Sequence, residues 1–284
     1  MKPSDEMERQ YNARLSIPDY PEIFARQAER SRDARLAVPC VLDVNYDDAP
    51  IKSAGTTLDV FPADGPSKAL LMYIHGGYWR SRDKSDFSYL APAFRAAGVT
   101  LAVVNYDLAP RVSVAQIVGQ MLKASAWLWR NAGAFGADPS RLFVTGHSAG
   151  GHLTAMMLAA QWPRYADDLP SKLFQGGLAI SGIYDLQPLL GVSVNDDLQL
   201  DRAEAHRVSP AFMPPATDAA LMTAVGGLES DEFKRQNTLI AARWVSCFRR
   251  DIPMPDFNHL TVAEELGNAS SPLFAGALEL MGLG

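Results

Sequence analysis

Gly146-His147-Ser148-Ala149-Gly150 is the stretch of this chain whose residue types and spacing could do covalent chemistry. A short apolar run, Leu142-Phe143-Val144, precedes it, and Gly151 to Ala160 reads as a helix. A serine set between a strand and a helix takes a strained backbone, so its neighbours two positions away must be small. The turn lifts the hydroxyl clear of the strand and leaves it at a helix N-terminus, where developing negative charge is favoured. A glycine turn that merely joins strand to helix looks similar over five residues. The flanks are what make Ser148 a candidate nucleophile.

A serine hydroxyl needs a base, and the base needs an acid to orient it. Where the G-x-S-x-G turn occurs in α/β-hydrolases, the chain order is serine, acid, histidine. The chain has five histidines: His75, His147, His152, His206 and His259. His75 precedes the serine in a glycine turn, and His147 is its neighbour, aimed elsewhere by the turn. His152 lies on the following helix and His206 in an irregular stretch. His259 alone follows the last expected strand, in a loop, and is the candidate base. The acid should follow a strand before that histidine. Gly226-Gly227-Leu228-Glu229-Ser230-Asp231 is such a place. Glu229 is nearer the strand end, Asp231 could equally cap the next helix, and Asp185 follows the preceding strand. All three stay open, with Glu229 first.

His75-Gly76-Gly77 ends another apolar strand, and missing side chains let the Gly76 and Gly77 amides approach a substrate oxygen beside the Ala149 amide. Tyr78 and Trp79, directly after, and Tyr184 further on are candidates for an aromatic substrate wall. Core packing beneath the loop is the competing use of such rings.

These residues need a scaffold. Val41 to Tyr46 and Thr57 to Phe61 read as strands. Ala69 to Ile74 is continuously apolar, as expected of a strand buried on both faces. A helix near Phe87 to Ala97, strand Val99 to Asn105 and helix Ala115 to Trp129 lead to Asp138-Pro139-Ser140 and the serine strand. Afterwards come strand Leu178 to Ile180, an irregular stretch from Gly182 to about Asp218, and strand Ala220 to Val225. Helix Asp231 to Phe248, a short strand and a helix opened by Ser271-Pro272 complete the chain. Alternation from residue 69 onward predicts one α/β domain over 1–284, with a mostly parallel sheet covered on both faces. Residues 1–38 form a helical extension opened near Pro21, whose Arg26, Arg30, Arg32 and Arg35 read as a solvated face rather than a docking face. Residues 182–218 form a cap-like insertion.

With these segments in view, a resemblance can be stated. His75-Gly76-Gly77-Tyr78-Trp79 resembles the HGGYW signature of α/β-hydrolase-type kynurenine formamidases (arylformamidases), which lie near the hormone-sensitive-lipase-like esterases. Asn105 to Pro110, reading NYDLAP, is similar to a segment of both groups, as is Gly146 to Leu153. Ser181 to Leu190 and Ser209-Pro210 resemble the family's insertion, Glu229 to Gln236 its acid-bearing segment, and His259 its histidine. The similarity runs from about residue 40 to the end. It implies an α/β-hydrolase fold, a twisted sheet of about eight strands, and hydrolysis of an N-formyl arylamine such as N-formylkynurenine. One departure stands out: the family usually has aspartate where Glu229 aligns. A short-chain carboxylesterase or amidase is the alternative activity. A non-catalytic binding protein on the same fold is the alternative of a different class.

Composition narrows the classes further. Hydrophobic residues make up 48% and charged residues 20% of 284, ordinary for a globular chain. A formal charge of -6 argues against a general nucleic-acid surface. Two cysteines, Cys40 and Cys247, make neither a disulfide framework nor a zinc cluster. No metal spacing, P-loop or dinucleotide fingerprint is present, so no cofactor is expected. A polar first ten residues and the lack of a long apolar run lead to the expectation of a cytoplasmic protein acting on a small molecule, away from membranes.

Overall fold

The structure, a computed structural model, describes residues 5–48 and 53–284. Eight strands build one sheet: β1 (Val41–Asn45), β2 (Thr57–Phe61), β3 (Ala69–Ile74), β4 (Val99–Val104), β5 (Leu142–His147), β6 (Gly176–Ile180), β7 (Ala220–Gly226) and β8 (Phe248–Met254). Their order is β1-β2-β4-β3-β5-β6-β7-β8. β1 with β2 and β2 with β4 are antiparallel, and all other pairs are parallel.

β3 shows why an unbroken apolar run becomes a strand. Leu70, Met72 and Ile74 pack on one face with Leu153 and Met157 of the helix after the serine. Leu71 and Tyr73 pack on the other with Phe87, Phe94 and Phe274. Burial of a large apolar side chain contributes about 1.5–3 kcal/mol. That exceeds the roughly 1 kcal/mol span of strand propensities, so two-sided burial decides the outcome.

Two expected helices differ in the fold. The one near Phe87 to Ala97 is three pieces: single turns at Lys84–Asp86 and Ser88–Leu90, then a helix at Ala91–Ala96. Asp83 caps the first piece through the Ser85 amide, and Pro92 sits at the start of the last. The helix after Glu229 spans Asp231–Arg243 and stops there, because Trp244 turns inward, fully buried, and donates from Nε1 to the Met213 carbonyl. Phe248 opens β8 instead.

The basic N-terminal helix, Tyr20–Ala37, keeps most of its arginines exposed, as expected of a solvated face, while three of them also reach back to its own domain. Arg26 grips Glu264 with two hydrogen bonds of 3.1 and 2.6 Å. Arg30 lies 3.6 Å from the same carboxylate and stacks on Tyr89, and Arg35 donates to Ser88 Oγ at 2.8 Å. Arg26, Arg30 and Arg32 are exposed, and Arg35 is half-buried. The shorter helix Asp5–Tyr11 is tied down through Tyr11, which bonds Glu232 and Gln236, and through Glu8, which accepts from both the amide and hydroxyl of Ser193. The extension thereby becomes a roof over the C-terminal ends of the strands. No helix among the described residues is long and apolar enough to cross a membrane.

Candidate active site

The serine turn is built by close backbone approach. A Cβ on Gly150 would sit 1.9 Å from the Ile74 carbonyl oxygen, and one on Gly146 would sit 2.4 Å from that of Gly150. No larger residue fits either position, so strand and helix meet with Ser148 at the crest, φ 56° and ψ −116°. The strain is held by the Ser148 amide donating to Ile180 at 2.8 Å and by the Ser148 carbonyl starting the helix Ala149–Ala159. Ala149 is the first helical residue, so the helix makes no use of its N–H.

His259 Nε2 lies 3.1 Å from Ser148 Oγ, and its Nδ1 lies 2.6 Å from Glu229 Oε2. Those distances suit proton transfer between Ser148 Oγ and His259 Nε2, with Glu229 orienting the imidazole. Glu229 is held in turn: its Oε1 accepts from Ser181 Oγ at 2.5 Å and from the Gly226 amide at 2.7 Å. Asn258 positions the histidine, its side chain capping the next turn through the amides of Leu260 and Thr261, while Phe233 packs on the imidazole at 4.2 Å. Asp231 is an exposed first residue of its helix, which Ser230 caps, and the Asp185 carboxylate is spent on the Gln187 amide. Of the three candidate acids, the fold brings Glu229 to the histidine.

The glycine loop is also set by its surroundings. Tyr106 Oη donates to the His75 carbonyl at 2.9 Å, and His75 Nδ1 donates to the Gly76 carbonyl at 2.7 Å. Each bond fixes a planar peptide, so the Gly76 and Gly77 N–H groups point the opposite way. Tyr106 and Phe87 sandwich the imidazole, and Asn105 Oδ1 lies 2.9 Å from its Nε2. Burial lowers the pKa of His75. Gly77 has φ +114° and no room for a Cβ, which would meet the Ser81 carbonyl at 2.2 Å. Gly77→Ala is therefore expected to cost about 1–3 kcal/mol through backbone strain, with loss of rate beyond the loss of stability. Thermal melts beside kcat test it, and an unshifted Tm would contradict it.

A cavity of about 780 Å³, including its open mouth, leads to Ser148 and His259. Gly76, Gly77 and Tyr78 border it. Trp79 and Tyr184 do not, which corrects their expected place in an aromatic wall. Trp79 is fully buried, edge-on to His152 at 5.0 Å. Tyr184 is buried with its ring folded onto Gly182, where a Cβ would come within 2.6 Å of it. Tyr78 remains in the wall because its backbone turns left-handed, φ 53°, and its hydroxyl bonds the Tyr11 carbonyl. His147 borders the cavity too, 4.7 Å from the His259 ring, and burial followed by the charge of His259 holds its pKa well below the ordinary value.

Sequence reasoning missed several residues here. Asn105 and Tyr106 stood out only as part of a familiar segment, and Ser181 only as the start of the insertion. Tyr11, Arg14 and Phe24 come from the extension, and Val192 to Val194 from the insertion. No local pattern reports such long-range closure. Among the described residues no group of three or more His, Cys, Asp or Glu side chains could hold a metal ion.

Fold and site together define a class: the chain belongs to the α/β-hydrolase fold family, whose profile matches residues 71–248. It is similar to a kynurenine formamidase of Salmo salar, 28% identical over 98% of this chain and 96% of that one. It is also similar to a kynurenine formamidase of Danio rerio, 31% identical over 82% of this chain and 80% of that one. Among solved structures, a Silicibacter sp. protein provisionally assigned as a thioesterase superposes with a TM-score of 0.84, is 29% identical, and matches over 96% of this chain and 98% of its own.

Proposed function

We propose that the chain is a serine hydrolase that cleaves a small-acyl amide or ester through an acyl-enzyme, with an N-formyl arylamine such as N-formylkynurenine as the leading substrate. The observation that carries it is the continuous row of Ser148, His259 and Glu229, 3.1 and 2.6 Å apart, at the end of an open cavity. Ser148 Oγ attacks the carbonyl carbon while His259 Nε2 takes its proton. The oxyanion forms beside the Gly76, Gly77 and Ala149 amides, which stabilise charge where it develops. Collapse breaks the C–N bond, and the His259 proton leaves with the amine. Water then attacks the formyl ester, His259 again taking and returning a proton, to give formate and free Ser148.

The formamide reading rests on the named activity of the two fish relatives. A short-chain carboxylesterase or amidase is the second reading, favoured by the thioesterase assignment of the Silicibacter relative, since a thioester is an activated acyl group. The two separate on kcat/KM for N-formylkynurenine against acetyl and butyryl esters of matched leaving group. The expected result is measurable formamide cleavage at a rate comparable with the acetyl ester and above the butyryl ester. A formamide cleaved far more slowly than both esters would assign the chain to the second reading.

A further inference from the structure

Arg82 is an unusual group to find beside a hydrolytic serine. Its backbone is left-handed, φ 76°, a strained conformation for a non-glycine residue. Its side chain is only 10% exposed, yet it borders the cavity that ends at Ser148. Its stem packs on the oxyanion loop, where a Cβ on Gly77 would come within 2.9 Å of Arg82 Cγ. The guanidinium is poorly spent on the protein itself. Its single side-chain hydrogen bond among the described residues is Nη2 to Gln27 Oε1, 2.8 Å. Nε lies 3.0 Å from Asp86 Oδ2, outside hydrogen-bonding geometry, and has no other acceptor. One ion pair and one hydrogen bond leave most of the five guanidinium N–H donors free for an acceptor in the cavity.

A second cation stands next to it. Arg14, in the short helix Ala13–Ser16 of the roof, borders the same cavity, is exposed, and has no carboxylate partner among the described residues. The guanidinium carbons of Arg82 and Arg14 lie 4.0 and 5.7 Å from the centre of one ring, Phe24. Phe87 lies 5.1 Å from Arg82 on the cavity wall. Burial lowers the pKa of Arg82 against the opposing charge of Asp86, with a smaller contribution from Arg14. The other charged wall residues are already engaged: Arg80 with Asp197, and Glu8 with Ser193 and Asn12. Asp86 pairs with Arg82 alone, which leaves Arg14 without a carboxylate partner among the described residues on an aromatic wall that also carries Glu8.

We infer that Arg82 and Arg14 form a subsite for a carboxylate carried by the aromatic leaving group of the substrate. Guanidinium forks match a carboxylate, and the Phe24 and Phe87 rings match a flat apolar body that bears it. The inference rests on the small-acyl hydrolase reading, because a formyl or acetyl group carries no charge and leaves the anion to the other half of the molecule. It goes beyond that reading by making the chain selective for anionic aryl substrates over neutral ones.

The test uses the full chain with 3-acetoxybenzoate and phenyl acetate, each rate divided by its hydroxide-catalysed rate. A kcat/KM ratio favouring the anionic ester by about tenfold at low salt is expected for charge-assisted contacts. It should shrink as salt screens the mouth. Arg14→Gln and Arg82→Lys should each lower the ratio several-fold, and the ratio within one variant cancels any general effect on the nucleophile. Arg14 is exposed, so its variant keeps the test alive even where Arg82→Lys folds poorly. In Ser148→Ala protein, calorimetry should find 3-hydroxybenzoate binding more tightly than phenol, and the difference should shrink several-fold in the Arg14→Gln background. A ratio near one in the unaltered chain, or an unchanged ratio in both arginine variants, would overturn the subsite. Failure of phenyl acetate turnover together with failure of phosphonate labelling would instead overturn the hydrolase reading, and the calorimetric arm would still decide the subsite.

Discussion

Ser148→Ala is expected to lower kcat on the order of a million-fold, the scale found when a triad serine is removed from another serine hydrolase. The size follows from what the side chain does. In the proposed mechanism its oxygen is the atom that bonds to carbon, and its proton is the one that His259, 3.1 Å away, would take. The amides of Gly76, Gly77 and Ala149 would remain, so a residual acceleration over water survives. The fold should be unaffected, since alanine is no larger than serine and the Ser148 amide and carbonyl carry the local bonds. A fluorophosphonate should add once per chain, on Ser148, and not at all to the variant. Label elsewhere, or a variant that keeps its activity, would remove the assignment, and the non-catalytic alternative predicts no label.

Glu229→Gln is the second large effect, with an expected loss of about ten-thousand-fold in kcat. Three donors converge on this buried carboxylate: Ser181 Oγ and the Gly226 amide on Oε1, and His259 Nδ1 on Oε2. A glutamine must keep its carbonyl toward the first two, which turns its NH2 toward Nδ1. The imidazole can then only accept at Nδ1, so its proton moves to Nε2 and the nitrogen facing Ser148 can no longer act as a base. Size and packing are unchanged, and circular dichroism should show a native fold. Asp231→Asn and Asp185→Asn should stay within about threefold of the unaltered chain, as expected for groups outside the row. Either of them exceeding Glu229→Gln in damage would reassign the acid.

How much of this was legible beforehand depended on whether the cause was local. The serine turn was, because Gly146 and Gly150 are demanded by contacts within a few residues and with the preceding strand's neighbour. His75-Gly76-Gly77 was legible for the same reason. The buried strands β2, β3, β4 and β7 were placed to within a residue, since burial writes an apolar run, whereas half-exposed β8 carried no such mark and the expected helix ran on to its first residue, Phe248. His259 could be reached by chain order. The acid could not, because Glu229 and Asp231 sit two positions apart at one strand end and differ only in the direction the turn gives each side chain. The structure brings Glu229 to His259 through Ser181 and Gly226, residues that converge only after β6 and β7 pair.

The pocket wall is where sequence and structure part most clearly. Tyr78 and Trp79 are adjacent and look equally placed, yet left-handed backbone at both sends one ring to the cavity and the other into the core against His152. Tyr184 follows a strand as a pocket residue would, but Gly182 gives its ring a place to lie inside. By itself the sequence determined where Ser148, the Gly76-Gly77 turn, His259 and most of the sheet would stand, through short-range sterics, chain order or periodic burial. Only the tertiary structure decided the acid, the roof made by the N-terminal helices, and the Arg14 and Arg82 wall. Those depend on segments brought together across most of the chain, and on which side chains the closing of the core leaves outside it.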